Sequence, residues 1–326
     1  MSFSLRLSQD HDGRRLDRTL RSVWPELPLS AIMRAIRKGE VRLDSIRARD
    51  PGARVQGGQE LWVPWEAPGG RPVVPRRGTV PILWRGNGAL VVNKPVDLLV
   101  QPDVKDGDSV ITRVWSMLGA AEGGSPGFAP TAVHRLDRNT TGVLIVALRG
   151  DALRALEDAF RERLADKRYL AVVVGKPSRK LEEIDVPLLK DSEANVVRVS
   201  PEGKSARTRC RCLASGGGLS LVELELLTGR THQARVHLAH IGCPILGDRK
   251  YGDFEANRLW RAAARRPLLH ALELSFPDGL SSTLRELAGR SFRAPVPQDM
   301  LAIAKDRGWT LPADPICPVE DEDGDE

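Results

Sequence analysis

Three short segments gather the residue types that do chemistry. The first is Val133-His134-Arg135-Leu136-Asp137-Arg138-Asn139-Thr140-Thr141-Gly142-Val143-Leu144-Ile145-Val146-Ala147, an apolar strand pattern after a turn crowded with polar groups. Asp137 sits on that turn, where a strand end can hold a carboxylate rigidly and leave it accessible. The plain reading of such an aspartate is an Asx-turn or a cap. The second segment, Asp166-Lys167-Arg168-Tyr169 running into Leu170–Gly175, opens a strand with a basic pair and a tyrosine. A strand tyrosine normally packs half-buried. The third, Leu227 to Gly242, concentrates Arg230, His232, Gln233, Arg235, His237 and His240. His237 and His240 are spaced to share a helix face, as metal ligands would. No glutamate lies among them as in HExxH and no cysteine pair supports them, so metal is not expected. Arg235 is better read as an ion-pair partner or phosphate contact.

These segments need a scaffold, and 326 residues with 41% hydrophobic content suit two domains with a sizeable core. No apolar run is long enough to span a membrane, and Met1–Arg6 lacks the pattern of a signal peptide, so a cytoplasmic location is expected. Cys210, Cys212, Cys243 and Cys317 include no CxxC pair, which argues against a zinc ribbon or a disulfide framework. The formal net charge is +6, yet Asp314 to Glu326 holds seven acids and no Lys or Arg, leaving +13 on the remainder. Such an excess suggests a polyanionic partner, with a merely solvated basic surface as the alternative.

Residues 12–65 read as a small unit. A helix carries Leu16, Leu20 and Val23 at helical spacing, and Pro25 and Pro28 end it. A second helix runs from about Ser30 to a Gly39 C-cap and carries Arg34, Arg37 and Lys38. Short strands follow at Val41–Leu43, which adds Arg42, and at Glu60–Val63. Residues 66–80, rich in Pro and Gly, form a linker in which few contacts are expected to cross. Residues 81–312 mix strands and helices as an α+β domain. Strands are expected at Ala89–Asn93, Val143–Ala147, Tyr169–Val174, Arg207–Leu213, Ser220–Leu227 and Leu268–Phe276. Leu153, Leu156, Phe160 and Leu164 predict a helix capped by Asp151. Residues 313–326 form an acidic tail, expected to be disordered.

Together the three segments resemble the RluA-like family of pseudouridine synthases. His134–Gly142 matches the family's HRLDxxTSG signature, Lys167–Gly175 its KxYxAxVxG segment, and Gly229–His237 its GRTHQIRVH segment. Asn93-Lys94-Pro95 resembles the NKP opening and Leu268-Leu269-His270-Ala271 the late LHA element. They stand in the family's order across residues 81–312. Residues 12–65 resemble the αL-type RNA-binding module of a small-subunit ribosomal protein, and the pairing is similar to the RluC/RluD branch. Asn139, Thr141 and Ala234 depart from the pattern, as do Asp97, Gln101 and Asp44-Ser45.

The resemblance implies a mixed, largely antiparallel pseudouridine synthase fold and a cofactor-free isomerase. Asp137 would be the catalytic carboxylate, Arg235 its partner, and Tyr169 would lie against the uracil. Arg135, Leu269, Arg230, His232 and Gln233 would contact the substrate. Arg34, Arg37, Lys38 and Arg42 would bind RNA, with large-subunit ribosomal RNA favoured over transfer RNA. A monomer is the expectation. One rival is a non-catalytic RNA-binding or ribosome-assembly protein on the same fold, against which the retained Asp137, Tyr169 and Arg235 argue. Another is a carboxylate nucleosidase or glycosidase, which would pair two acids across the bond.

Overall fold

A computed structural model describes residues 2–24, 27–67, 78–102, 107–122, 128–191 and 194–312. The linker expected at 66–80 falls largely outside these residues, and the acidic tail entirely so. The chain divides into two units, Met1–Arg168 with Ala271–Pro295, and Tyr169–His270 with Val296–Glu326.

The first unit begins with β1 (Phe3–Arg6), α1 (Leu16–Val23), α2 (Leu29–Lys38), β2 (Val41–Leu43), β3 (Ile46–Ala48) and β4 (Glu60–Val63). The strands form one sheet in the order β1-β4-β2-β3. Its first strand lies before residue 12, where the sequence offered only four alternating residues as a signal. Leu16, Leu20, Ile32, Ile36, Val41, Leu61 and Val63 close over Trp24 as a separate small core. Gly39 ends α2 in the left-handed region, at φ 70°. Asp44 and Ser45 also take positive φ, 48° and 69°, so the β2–β3 turn has the backbone that Asn-Gly would supply. The Asp44 carboxylate steadies it by accepting the Glu60 N–H at 2.8 Å.

The same unit continues with β5 (Ile82–Arg85), β6 (Ala89–Lys94), α3 (Val110–Glu122), β7 (Thr131–Ala132), β8 (Thr141–Ala147) and α4 (Gly150–Arg161). Every residue of β8 is buried, as suits a strand covered on both faces. It pairs antiparallel with β6, Val91 opposite Ile145. Val143 and Ile145 share a core with Val91, Leu153, Leu156, Leu274 and Phe292. Helix α4 stops at Arg161, and Arg163 turns left-handed at φ 61°, so Leu164 lies outside the helix expected to include it.

The chain then runs through β9 (Asp166–Val174), β10 (Leu181–Asp185), β11 (Leu188–Asp191), β12 (Val196–Val199), β13 (Arg207–Gly216), β14 (Leu219–Leu226), α5 (Gln233–His240) and α6 (Phe254–Leu259). It ends with β15 (Leu269–Ser275), β16 (Ser291–Arg293) and α7 (Gln298–Arg307). In the first unit the strand order is β15-β8-β6-β5, and in the second β10-β13-β14-β9-β15. Strands β9 and β15 contribute residues to each. The result is the mixed, largely antiparallel α+β architecture expected. No helix among the described residues is long and apolar enough to cross a membrane.

Candidate active site

Asp137 lies half-buried on the turn that leads into β8. Its backbone carbonyl accepts the Thr140 N–H at 3.0 Å, closing the turn. Three further ties hold this turn. Lys94, the last residue of β6, is fully buried, and its ammonium donates to the Arg138 carbonyl and to the Pro95 carbonyl, both at 2.8 Å. A buried cation that donates to main-chain oxygens makes strong, charge-assisted bonds. His134 stacks on Phe160 of α4 at 5.0 Å, and its Nε2 accepts the Ile145 N–H at 3.3 Å. Burial, and then the charge of Lys167, pull the His134 imidazole down to about 3. It is therefore a neutral structural ring.

Gly142 supplies the last tie. Its φ is +114°, and a Cβ there would come within 2.7 Å of the Ala271 carbonyl carbon on β15. Only glycine allows this backbone approach. Lys94 of the NKP segment and Ala271 therefore both hold the turn that carries Asp137. Arg135 is exposed beside it, and Arg138 pairs with Asp97 at 3.3 Å.

In the second unit, Tyr169 is buried on β9 and Leu269 is buried on β15. Arg235, on α5, forms a two-pronged ion pair with Asp248: Nε to Oδ2 at 2.7 Å and Nη2 to Oδ1 at 2.8 Å. The Arg235 side chain is 11% exposed and that of Asp248 not at all. The guanidinium also lies over the Tyr251 ring, 5.0 Å from its centroid. Burial alone would raise the Asp248 carboxyl. The hydrogen bonds and charge of Arg235, with the N–H groups of Lys250 and Tyr251, outweigh it and hold the carboxyl below the usual range.

Sequence reasoning gave Arg235 one carboxylate, Asp137, and missed Asp248. The signal was a single acid inside Gly247-Asp248-Arg249-Lys250-Tyr251-Gly252, a stretch otherwise basic and aromatic.

Gln233 was expected to touch the substrate; the structure places its side chain inside the protein. It is 2% exposed. Its Oε1 accepts from Thr228 Oγ1 and Arg230 N, and its Nε2 donates to the Arg207 carbonyl and Thr208 Oγ1. All four sites of the amide are spent inside the protein. Gln233 instead shapes the loop before α5. Arg230 is exposed on that loop, with Nε donating to the Ser205 carbonyl at 2.9 Å. His232 takes a left-handed conformation at φ 53°, and its Nδ1 lies 2.8 Å from the Tyr251 hydroxyl. That hydroxyl also accepts the Val197 N–H. His237 is buried with Nδ1 on Thr208 Oγ1 and Nε2 on the Val186 carbonyl, so neither nitrogen points to a metal. Among the described residues, no group of three or more His, Cys, Asp or Glu side chains is placed to hold a metal.

Residues 88–240 match the family model described as RNA pseudouridylate synthase, a span that includes Asp137, Tyr169 and Arg235. The chain is 33% identical over 298 residues to Ribosomal large subunit pseudouridine synthase C of Vibrio cholerae, covering 86% of this chain and 90% of that protein. It is 36% identical over 289 residues to the protein of the same name in Escherichia coli, covering 83% and 87%. The chain belongs to the RNA pseudouridylate synthase family. It is an isomerase that converts uridine in RNA to pseudouridine. Among solved structures, Human RNA Pseudouridylate Synthase Domain Containing 4 superposes with a TM-score of 0.57 at 28% identity, over 72% of this chain and 95% of that one.

The synthase carries a basic surface on its N-terminal module. Arg34, Arg37 and Lys38 are exposed on the last turns of α2, and Arg42 is exposed on β2. Arg42 lies directly across from Arg47 in the β2–β3 pairing, with its guanidinium 5.2 Å from the Trp62 ring centroid. Like charges placed opposite each other are unfavourable.

Proposed function

We propose that this synthase modifies uridines of large-subunit ribosomal RNA, with Asp137 as the catalytic carboxylate. The observation that carries this reading is the extent of the likeness. Relatives named for the large ribosomal subunit match 83–86% of the chain, a span longer than residues 81–312 alone.

The reaction cuts the uracil N1–ribose C1′ bond, turns the base and rejoins it through C5. No redox change and no net water are involved. A carboxylate suits this chemistry: Asp137 attacks C1′, or stabilises or deprotonates an oxocarbenium-like sugar. Arg235 is the proposed partner of that carboxylate, and Tyr169 the group against the uracil face that assists proton removal from C5. Arg135 holds the displaced nucleotide, Leu269 contributes apolar wall, and Arg230 and His232 contact the RNA. The target base must leave its stack, which costs a few kcal/mol. Phosphate contacts from Arg34, Arg37, Lys38 and Arg42 offset that cost. The enzyme would work in the cytoplasm as a monomer.

The test uses unmodified large-subunit ribosomal RNA and a site-resolved pseudouridine map. Asp137→Asn keeps the shape of the side chain and removes its charge. It should lower the rate more than ~10⁴-fold, about 5.5 kcal/mol of barrier, with RNA binding nearly unchanged. Activity within tenfold of wild type would sink the assignment.

A further inference from the structure

The segment between β1 and α1 carries charge, and two of its polar residues are buried. Asp10 is 7% exposed and His11 fully buried. Asp10 is buried against the start of α4. Its Oδ1 accepts the N–H of Gly150, the first residue of α4, at 3.0 Å. A carboxylate at a helix N-terminus satisfies a free N–H and meets the positive end of the helix dipole. The fit is also steric. A Cβ on Gly150 would lie 2.8 Å from the Asp10 carbonyl carbon and closer still to its oxygen. Gly150 does not have positive φ, so local backbone conformation does not require glycine here. Nearby, the Arg14 guanidinium lies over Phe128, 5.6 Å from the ring centroid, and Phe128 belongs to the catalytic core. Burial, and then the charges of Arg154 and Arg18, lower Arg14 below the ordinary arginine value, with Asp10 and Glu157 opposing. These contacts lie between the hydrophobic core of the module and that of the catalytic domain.

Helix α4 begins just after β8 ends, and the Asp137 turn lies just before β8 begins. The seven buried residues of β8 therefore separate Asp137 from the Asp10–Gly150 contact by a strand length of about 20–25 Å. We propose that the Asp10–Gly150 contact is a latch that fixes the RNA-gripping module at a set distance from Asp137, so that the enzyme selects the uridine lying that far from the gripped phosphates. This deepens the ribosomal RNA reading and rests on it. The latch residues touch neither substrate nor reacting atoms. They act on specificity by positioning the module.

Gly150→Ala tests the idea in the full chain. It adds only a methyl group and favours helix at that residue, yet the methyl has no room against Asp10. Asp10→Ala removes the carboxylate without crowding anything. Two measurements are made on each. The first is hydrogen exchange of the segment that spans Leu148 to Leu153. The second is the pseudouridine map of unmodified large-subunit ribosomal RNA. In both variants, exchange at this segment should rise at least tenfold while β8 stays protected. Total pseudouridine at saturating enzyme should stay within twofold of wild type. The ratio of preferred to secondary sites should fall at least tenfold. Unchanged exchange would show that the module is not held there. Raised exchange with an unchanged site ratio would show that the contact does not select the uridine. Either result overturns the latch. A wild-type enzyme that makes no pseudouridine in this RNA would overturn the substrate assignment instead, and is seen before any variant is made.

Discussion

Replacing Asp248 by asparagine tests how Arg235 is held. The wild-type carboxylate takes both prongs of the guanidinium and two backbone N–H groups, from Lys250 at 2.9 Å and Tyr251 at 3.2 Å. Asparagine keeps one oxygen and turns an NH₂ group towards donors that need an acceptor. Surface ion pairs are worth about 0–1 kcal/mol, but this pair is buried on both sides. Removing one partner of a buried pair costs about 3–5 kcal/mol, because the other charge is left uncompensated. Urea denaturation near neutral pH should show a loss of that size. The pH dependence carries a sign that can be worked out. The folded Asp248 carboxyl lies below its ordinary value of 3.8. Its contribution is therefore complete above that value and disappears as pH falls through the lower, folded one. The stability gap between wild type and Asp248→Asn should shrink steadily below about pH 4. Because Arg235 would also lose its orientation, kcat should fall more than KM rises. A loss below 1 kcal/mol near neutral pH, or a gap as wide in acid as at neutrality, would refute the argument.

Three other substitutions probe the Asp137 turn. Gly142→Ala demands a positive φ from alanine and drives a methyl into the Ala271 backbone. Backbone strain alone costs about 1–3 kcal/mol, so a fall in urea midpoint at least that large is expected, and an unchanged midpoint would show that the strand can shift. Lys94→Met keeps the length and removes the donors to the Arg138 and Pro95 carbonyls. Each bond to a charged donor is worth about 1.5–3 kcal/mol, partly offset by no longer burying a charge. A measurable stability loss with a lower kcat is expected, and wild-type turnover would remove Lys94 from the positioning argument. His134→Gln addresses acid sensitivity. The folded imidazole titrates at about 3, against 6.5 for a free histidine, so stability attributable to it is present above 6.5 and is lost as pH falls towards 3. The variant should lose less stability than wild type between pH 6.5 and 4, and parallel curves would contradict that.

Strand and helix periodicity made most of the fold legible. Val143–Ala147, Glu60–Val63 and the Gly39 stop were readable because local pattern and burial agree there. Helix starts were less readable. Ser30 and Asp151 resembled caps, but the helices begin after Pro28 and Arg149, and Asp151 instead pairs with Arg149. A polar residue in a first turn satisfies the cap pattern whether or not it sits at the cap. The four-residue β1 gave only a weak signal because its register is set by β4, 54–60 residues away in the chain. In the site, the proposed catalytic residues were named through resemblance, but the partnerships the structure shows were not. Nothing local ties Asp248 to Arg235, Lys94 to Arg138, or Asp10 to Gly150. Each is a pair between residues distant in the chain, and in the last two one partner is a backbone group that side-chain pattern does not show.

That pattern bears on why the motifs are so long. Of the polar residues in His134–Gly142 and Gly229–His237, several are committed to the protein itself. His134 fastens a strand, Gln233 spends all four amide sites on loop and strand, and His237 bridges Thr208 and Val186. Arg135 and Arg230 remain exposed. A reaction that needs one carboxylate needs that carboxylate held still, because a misplacement of about 1 Å can cost on the order of a hundredfold in rate. In this chain the holding uses a buried lysine, a neutral histidine and a glycine with no room for a side chain. On the proposed role, chemistry accounts for Asp137, and mechanical constraint accounts for much of what surrounds it. The departures fit that division. Thr141 and Ala234 are buried, whereas Asn139 lies half-exposed on the turn that carries Asp137. Substitutions at the first two should show in stability before they show in turnover, and those at Asn139 in the reverse order.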